Sequence, residues 1–351
     1  MLRLGNFSPQ TKLLFHTKSI NNWLQGDNVY PILVEFDLTN RCNHKCDFCT
    51  FDYIKDRSTI DMTIVTKTLD EFSKYGVKAI NWTGGGEPLL HKDFSKIVTY
   101  ANSLGIDQGL FTNGSLLNKE NSEAILKTHS WIRISIDAGT KETYKNIRKV
   151  DDFDLVLNKI QELITLKKKM NSTTSIGIGF VITPENFIEM WDFAKLIRTL
   201  YVDYGQYKPC IKNFNSKEQI DSNWWYNDII PILEDICRCT PKAVVNFYKL
   251  NDLIESNFDK KYKECYGHIF CPCIGATGDV WVCTHLRGID GYSFGNLNEQ
   301  SFEEIWTSSK RQEVIKKINL DICQFCCKNN EINKILYQIK NPNKETHYNF
   351  L

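Results

Sequence analysis

The segment CNHKCDFC, residues 42–49, places three cysteines at spacings of four and three positions. It follows a run of β-branched and aromatic residues, Pro31–Leu38, that has the composition of a buried strand. Thiolates at this spacing can each bind one iron of an iron–sulfur cube, which leaves the fourth iron open for a further ligand. A zinc site is the alternative, with His44 or a distant cysteine as the fourth ligand. The segment therefore predicts a metal centre in the loop after the first strand.

Beyond this loop, strand-like runs alternate with helix-like segments, which is the pattern of repeated βα units around a parallel sheet. No Gly-x-Gly-x-x-Gly turn follows the first strand, so a partial (β/α)6 TIM-like barrel is favoured over a Rossmann sheet. The six predicted strands are Pro31–Leu38, Lys78–Thr83, Asp107–Thr112, Trp131–Asp137, Ser175–Thr183 and Tyr204–Lys208.

One face of several predicted strands is polar, because residues two apart in a strand share a face. On the fourth strand, three isoleucines alternate with Arg133, Ser135 and Asp137. We expect such faces to line the mouth of a barrel, where βα barrels place their chemistry; solvated strand edges are the alternative. The other polar sets are Glu35 with Asp37, Asn81 with Thr83, and Gln206 with Lys208.

The composition excludes several classes of protein. The chain has 351 residues, with 43 Lys+Arg and 42 Asp+Glu, so its formal net charge is +1, which argues against a nucleic-acid partner held by a basic surface. No apolar run reaches the roughly 18 residues of a membrane span, and the polar start lacks the apolar stretch of a signal peptide. We therefore expect a cytoplasmic protein with no membrane partner. Thirteen cysteines in a reducing compartment then indicate metal ligation or redox chemistry more than disulfides.

A second cysteine-rich region begins near residue 263, where a hairpin and two helices are predicted. Cys265 lies thirteen positions before Gly278, Cys283 lies five positions after it, and a C-x-x-C pair follows. Four cysteines can close a second cluster, and a structural zinc ribbon is the alternative. The candidate ligands are Cys265, Cys283, Cys323 and Cys326. The cysteines that could replace one of them are Cys271, Cys273 and Cys327.

These patterns predict five parts along the chain. They are an N-terminal extension at 1–29, a barrel at 30–209, a helical bridge at 210–262, a small cysteine-rich α+β domain at 263–340 and a tail at 341–351.

Three further motifs stand at predicted strand ends: GGGEP at 84–88, TNG at 112–114 and SID at 135–137. Together with the CxxxCxxC loop, they resemble the radical S-adenosylmethionine (SAM) superfamily over roughly residues 30–209. The resemblance implies that Cys42, Cys46 and Cys49 hold a 4Fe-4S cluster whose open iron binds the amino and carboxylate groups of SAM. The residues that it implies in SAM binding are Phe48, Gly84, Gly85, Gly86, Glu87, Thr112, Asn113, Ser135 and Asp137.

The second cysteine set also resembles a known extension. The spacing Cys-x12-Gly-x4-Cys, followed by GNL at 295–297, IW at 305–306 and C-x-x-C, is similar to the SPASM/twitch domains of radical SAM enzymes. Because no cysteine follows Cys327, the shorter twitch form, with one auxiliary 4Fe-4S cluster, fits better than the full SPASM form.

The resemblance implies reductive cleavage of SAM to a 5'-deoxyadenosyl radical, which abstracts a hydrogen atom from a polar substrate. With an auxiliary cluster assisting, it favours the oxidation of a sugar or cyclitol, with an electron donor such as flavodoxin or ferredoxin. Peptide modification and epimerisation are the alternatives, and the short segment before the barrel favours the small substrate over a peptide. A non-catalytic zinc or iron–sulfur binding module is the alternative from another class.

Two residues near the mouth end of the sixth strand are candidate catalytic groups. Lys208 could remove a proton from a substrate radical, and the thiol of Cys210 could return a hydrogen atom, as an epimerase requires.

Overall fold

Ten strands hydrogen-bond into one sheet in the described part of this computed structural model, which comprises residues 9–210, 222–246, 249–250, 260–323, 327–343 and 345. The strands are β1 Leu33–Asp37, β2 Ala79–Thr83, β3 Asp107–Thr112, β4 Trp131–Ser135, β5 Ser175–Ile182, β6 Tyr204–Pro209, β7 Ala243–Val245, β8 Cys273–Ile274, β9 Asp279–Trp281 and β10 Ser293–Asn296. Their order across the sheet is β10-β9-β8-β1-β2-β3-β4-β5-β6-β7.

Helices connect the strands. They are α1 Pro9–Leu13, α2 Thr17–Leu24, α3 Met62–Tyr75, α4 Phe94–Ser103, α5 Lys119–Thr128, α6 Lys141–Arg148, α7 Phe153–Met170, α8 Met190–Thr199, α9 Ser222–Trp224, α10 Ile230–Cys239, α11 Gly267–Phe270, α12 Phe302–Thr307, α13 Ser309–Lys316 and α14 Asn330–Lys340. None of the described helices has the length and apolar content to cross a membrane.

Strands β1 to β6 pair in parallel and in chain order, which confirms the predicted βα barrel core. All six predicted strands are present. The fourth is shorter than predicted and ends at Ser135, because Asp137 takes a φ of 61°, a left-handed conformation that a strand cannot continue through.

Both edges of this parallel sheet are extended by later parts of the chain. Strand β7 adds to β6, and the C-terminal hairpin adds through β8, which pairs in parallel with β1 in the register Glu35 to Cys273. The hairpin predicted around Thr277–Asp279 is confirmed by β8 and β9. The C-terminal region is therefore hydrogen-bonded to the barrel, and the domain boundary near residue 263 stays a prediction.

The segment before the barrel belongs to a separate small core. Leu13 and Ile20 of α1 and α2 pack with Tyr266, Phe270 and Leu336 of the C-terminal region. The predicted N-terminal extension therefore contains two helices that contact the far end of the chain.

Polar side chains occupy the inner face of the sheet, as the alternation predicts, while the apolar residues of β1, β2 and β4 pack under the helices. At the amino ends of the strands, Tyr204 of β6 lies over Gly177 of β5, where a Cβ on the glycine would be only 2.2 Å from the tyrosine ring. Trp131, at the start of β4, packs against Phe111 with ring centroids 4.9 Å apart. These rings fill the lower lumen, so the lumen opens at the carboxyl ends of the strands.

Candidate active site

The cysteine loop lies at the open end of the lumen, where Cys42, Cys46 and Cys49 are all free thiols. The pKa of the Cys46 thiol is raised to about 11, chiefly by burial, with the cation of Arg148 lowering it and Asp137 and the other two thiols adding to the rise. A thiolate at this place therefore needs positive charge nearby, which bound iron supplies. The loop is held from three sides.

The glycine-rich loop after β2 forms the first contact. The nitrogen of Glu87 donates a hydrogen bond to the carbonyl of Arg41 (2.8 Å), which directly precedes Cys42. A Cβ on Gly86 would lie 2.0 Å from the same carbonyl, so only glycine fits there. The glycine-rich backbone that is predicted to lie close to SAM thus also lies close to the cysteine loop.

Glu87 joins this loop to the TNG motif after β3. One carboxylate oxygen accepts hydrogen bonds from the Thr112 hydroxyl (2.6 Å) and the Leu89 nitrogen (3.2 Å), and the other accepts from the Asn113 nitrogen (2.7 Å). Burial raises the pKa of this carboxyl, and these donors lower it. Both oxygens bind the protein itself, and the role of Glu87 in SAM binding stays a prediction.

A second contact comes from the side chains of the TNG region. Asn113 donates to the side chain of Asn43 (2.8 Å), Asn43 donates to the hydroxyl of Ser115 (2.8 Å), and Ser115 donates back to Asn113. Asn43 directly follows Cys42, so this closed network fixes the start of the cysteine loop. The motif predicted to bind SAM therefore also positions the loop of the predicted cluster ligands.

The third contact is the end of α6, for which no role was predicted. Lys45 and Asp47 of the cysteine loop donate backbone hydrogen bonds to the carbonyls of Arg148 and Ile147 (3.3 and 3.0 Å). The guanidinium of Arg148 lies 3.5 Å from the sulfur of Cys46. The same buried cation donates to the Ser135 carbonyl (2.7 Å), lies 3.4 Å from Asp137 and is 6.0 Å from the ring of Phe48. The only feature of the sequence that could have indicated Arg148 is its place at the end of the helix that follows the SID motif.

Asp137 combines a satisfied and an unsatisfied oxygen. One oxygen accepts from the Val181 nitrogen (2.7 Å), while the other is buried, lies 3.4 Å from the guanidinium of Arg148 and accepts no hydrogen bond from the described residues. Burial raises the pKa of this carboxyl, and the nearby Arg148 lowers it. A buried acceptor of this kind fits a ligand hydroxyl, such as those of a ribose.

His44 is a packing residue in this structure. Its ring contacts Tyr144 edge to face with centroids 6.3 Å apart, and its Nε2 lies 3.5 Å from Asp152. Burial and the cation of Arg148 lower the pKa of His44 to about 3. The structure thus gives no support for His44 as the fourth ligand of a zinc ion.

The second cysteine set is also brought together. Burial raises the pKa of Cys283, and the next causes are the neighbouring thiols of Cys265, Cys327 and Cys323. Cys326 lies outside the described residues, and the ligand roles of all four cysteines stay predictions. Among the described side chains, no three of His, Cys, Asp and Glu are placed to hold a single metal ion. A four-iron cube, in contrast, takes one thiolate at each iron.

The remaining two alternatives lie toward the barrel, where burial raises the pKa of both thiols, and Cys273 is close enough to Cys283 for that thiol to add to the rise. Cys271 and Cys273 are buried beside Glu35 and Lys328, whose charges affect the pKa of both thiols. Lys328 also donates to Glu35, which accepts from Asn81 of β2 (2.8 Å). This buried group joins the C-terminal domain to the inner face of the barrel.

The far wall of the lumen carries the two candidate catalytic groups. Gln206 accepts from Arg133 across β5 and donates to Asn246 (3.0 Å). Next on the same face of β6 is Lys208, whose pKa is lowered to about 7 by burial and then by the charge of Arg133. Cys210 follows, half-buried, with its nitrogen bonded to the Ile182 carbonyl (3.0 Å).

Comparison with known families assigns both parts of the chain. Residues 36–197 match the model of the radical SAM superfamily, and residues 265–328 match the SPASM model, an iron–sulfur cluster-binding domain.

Three relatives illustrate the range of functions. A probable GTP 3',8-cyclase of Methanocaldococcus jannaschii is 30% identical over 226 residues, 62% of this chain and 70% of that protein. A tungsten-containing aldehyde ferredoxin oxidoreductase cofactor-modifying protein of Pyrococcus furiosus is 23% identical over 78% of this chain and 80% of its own length. The mycofactocin maturase MftC of Mycobacterium tuberculosis is 26% identical over 84% of this chain and 75% of its own length.

Solved structures share the fold. Streptococcus suis SuiB bound to the precursor peptide SuiA superposes with a TM-score of 0.68 at 15% identity, covering 91% of this chain and 77% of that one. The enzyme anSMEcpe with bound AdoMet gives a TM-score of 0.60 at 17% identity, covering 87% and 88%.

The chain therefore belongs to the radical SAM superfamily and carries a C-terminal SPASM-type iron–sulfur domain. Its cofactors are SAM and 4Fe-4S clusters. The residues fit these groups: three free thiols share one fixed loop, a buried cation adjoins Cys46, and Asp137 offers an unused buried acceptor.

Replacing Glu87 by glutamine tests how the cysteine loop is held. A glutamine has one acceptor oxygen and one NH2 group. In one orientation the NH2 group faces the N–H donor of Asn113, and in the other it faces the donors of Thr112 and Leu89. Burying such mismatched donors costs about 1–3 kcal/mol. We expect Glu87→Gln to lower the free energy of unfolding by about that amount in urea denaturation of the apoprotein.

The matched control is Glu120→Gln, on an exposed position of α5, for which we expect a change within about 0.5 kcal/mol. Equal unfolding free energies for Glu87→Gln and the control would contradict the role of Glu87.

Proposed function

We propose that this enzyme oxidises a carbon that bears a hydroxyl group, in a substrate held in the lumen between the barrel and the C-terminal domain. When bound, SAM and the clusters supply a hydrogen-atom acceptor and a one-electron acceptor. An external donor such as flavodoxin or ferredoxin would reduce the cluster that binds SAM, while the auxiliary cluster, in its oxidised state, would take the electron from the substrate. The residues of this chain must then orient the substrate and accept the proton that remains.

Lys208 is the observation that carries this proposal. It projects from the inner face of β6, and none of the described residues forms a hydrogen bond or an ion pair with its amine. With a pKa of about 7, the amine is largely neutral at slightly alkaline pH and can accept a proton. Transfer of the hydroxyl proton to Lys208, with loss of one hydrogen atom and one electron from carbon, leaves a carbonyl group.

Two substrate classes offer such a carbon. The polar groups of the lumen, including Glu35, Asn81 and Gln206, suit a sugar or cyclitol. A hydroxyl side chain of a peptide is the second class, and two observations support it. The relatives named as a maturase and a cofactor-modifying protein align over most of this chain, and a protein of the same fold binds a precursor peptide. We place the peptide first, because those alignments cover 78% and 84% of this chain.

Epimerisation is the competing reaction, and the position of Cys210 favours it. The thiol lies two residues beyond Lys208, on the strand end that faces the lumen. A thiol there could return a hydrogen atom to a substrate radical.

Cleavage of SAM tests the reaction class without knowledge of the substrate. We expect the reconstituted protein to form 5'-deoxyadenosine with dithionite and SAM, measured by mass spectrometry. The variant with Cys42, Cys46 and Cys49 all changed to Ala should form none, whereas Cys239→Ala, an exposed thiol, should match the wild type. Cleavage by the triple variant would contradict the assignment.

In deuterated water, a product two mass units lighter and free of deuterium indicates oxidation, and a deuterium-labelled product indicates epimerisation.

Lys208 gives the oxidation a specific pH dependence. The amine accepts a proton only when neutral, so the rate of oxidation should rise with pH and level off above about 7. Lys208→Arg keeps the charge but stays protonated, and we expect a loss of about 100-fold or more in that rate. A variant that keeps both the rate and the pH profile would contradict the role of Lys208 as the base.

A further inference from the structure

Arg287 lies between the loops of the two cysteine sets. It follows Cys283 by four positions, and its side chain is 2% exposed. One terminal nitrogen, Nη1, donates to Asp37 at the end of β1 and lies 3.8 Å from the sulfur of Cys273. The guanidinium lies 3.9 Å from the ring centre of Phe51, two positions after Cys49. The cation thus stands where the barrel mouth meets the C-terminal domain.

The other two nitrogens of Arg287 have no acceptor among the described residues. Nε and Nη2 are both buried, and neither donates a hydrogen bond to that part of the chain. Their N–H groups point in the same direction on a planar guanidinium, which is the fork that binds both oxygens of a carboxylate. Leaving a buried donor unpaired costs about 1–3 kcal/mol. An empty fork at this depth is therefore explained by an acceptor that a ligand brings.

Asp37 supplies the complementary group. Its Oδ2 accepts from Arg287, while its Oδ1 is buried and accepts no hydrogen bond from any residue that the structure describes. The nearby carboxylate of Glu35 is already paired with Lys328 and Asn81. Tyr53 donates to the backbone carbonyl of Arg287 (2.8 Å), which fixes the position of the fork. Two free donors thus adjoin one free acceptor.

We propose that Arg287 binds a carboxylate of the substrate through Nε and Nη2, while Asp37 accepts a hydrogen bond from an N–H or O–H group beside that carboxylate. The inference rests on the proposed function and deepens it, because it identifies the substrate as an acid. The terminal residue of a peptide has this pair of groups, and so does a hydroxy acid.

Small acids that carry this pair test the inference. The reconstituted holoenzyme is titrated anaerobically by calorimetry with N-acetylglycine, with glycolate, and with the neutral N-acetylglycinamide. We expect at least one acid to bind the wild type, and the neutral amide to bind at least tenfold more weakly than N-acetylglycine if that is the acid bound. Tighter binding of N-acetylglycine indicates a peptide terminus, and tighter binding of glycolate indicates a hydroxy acid. No binding of either acid in the millimolar range, or equal binding of N-acetylglycine and its amide, would overturn the proposal.

Variants assign the binding to Arg287. Arg287→Lys keeps the charge and removes the fork, and Arg287→Met removes both; each should weaken acid binding tenfold or more. Arg311→Lys is the matched control, since Arg311 is also buried and stacks 3.9 Å from the ring of Trp306 in the C-terminal domain. It should bind the acid as the wild type does. Binding by both Arg287 variants at the wild-type level would overturn the proposal.

A parallel titration with SAM identifies the source of the carboxylate. If Arg287→Lys loses as much affinity for SAM as for the acid, the fork belongs to SAM and the proposal fails. Failure of this inference can be distinguished from failure of the proposed function, because cleavage of SAM is measured separately, on the wild type and on Arg311→Lys. Cleavage without acid binding would contradict this inference alone.

Discussion

The fixed position of one loop is the constraint on which the site depends. Three thiols can share one cluster only if the eight-residue loop that carries them keeps a single shape, and this loop has no regular secondary structure. Its shape comes instead from neighbouring strand ends: the Gly86 backbone against Arg41, the amide network of Asn43 and Asn113, and the end of α6 against Lys45. Each of these contacts needs the parallel order of β1 to β4, because that order brings the strand ends together.

Because of this constraint, two motifs of the sequence also have a structural role. GGGEP and TNG were expected to bind SAM, and the structure shows that they also bind each other and the cysteine loop. The same residues therefore determine the position of the three thiols that would hold a cluster. A change in Glu87 or Gly86 would disturb both functions together, so loss of activity alone would not separate them. Measurements of stability and of iron content can separate the two roles.

Much of the fold could be predicted from the sequence, because its signals are periodic or densely spaced. The alternation of isoleucines with Arg133 and Ser135 gave the inner face, and three cysteines in eight residues gave the metal centre. Arg148 and Arg287 were not predicted, because a single arginine becomes a site residue only through contacts with distant parts of the chain. The pairing of β8 with β1 was missed for the same reason, since a strand of two residues has no periodicity. Asp137 shortened β4 through a left-handed backbone that the residue type does not reveal.

The central claim is that Cys42, Cys46 and Cys49 hold a 4Fe-4S cluster with one iron open to SAM. Electron paramagnetic resonance tests it most directly, on a variant in which Cys265, Cys283 and Cys323 are changed to Ala so that only the loop cluster remains. We predict that dithionite produces the signal of a reduced 4Fe-4S cluster and that addition of SAM shifts its g values, because SAM binds the open iron. A cluster signal that SAM leaves unchanged, or a protein that binds zinc and gives no cluster signal, would contradict the account.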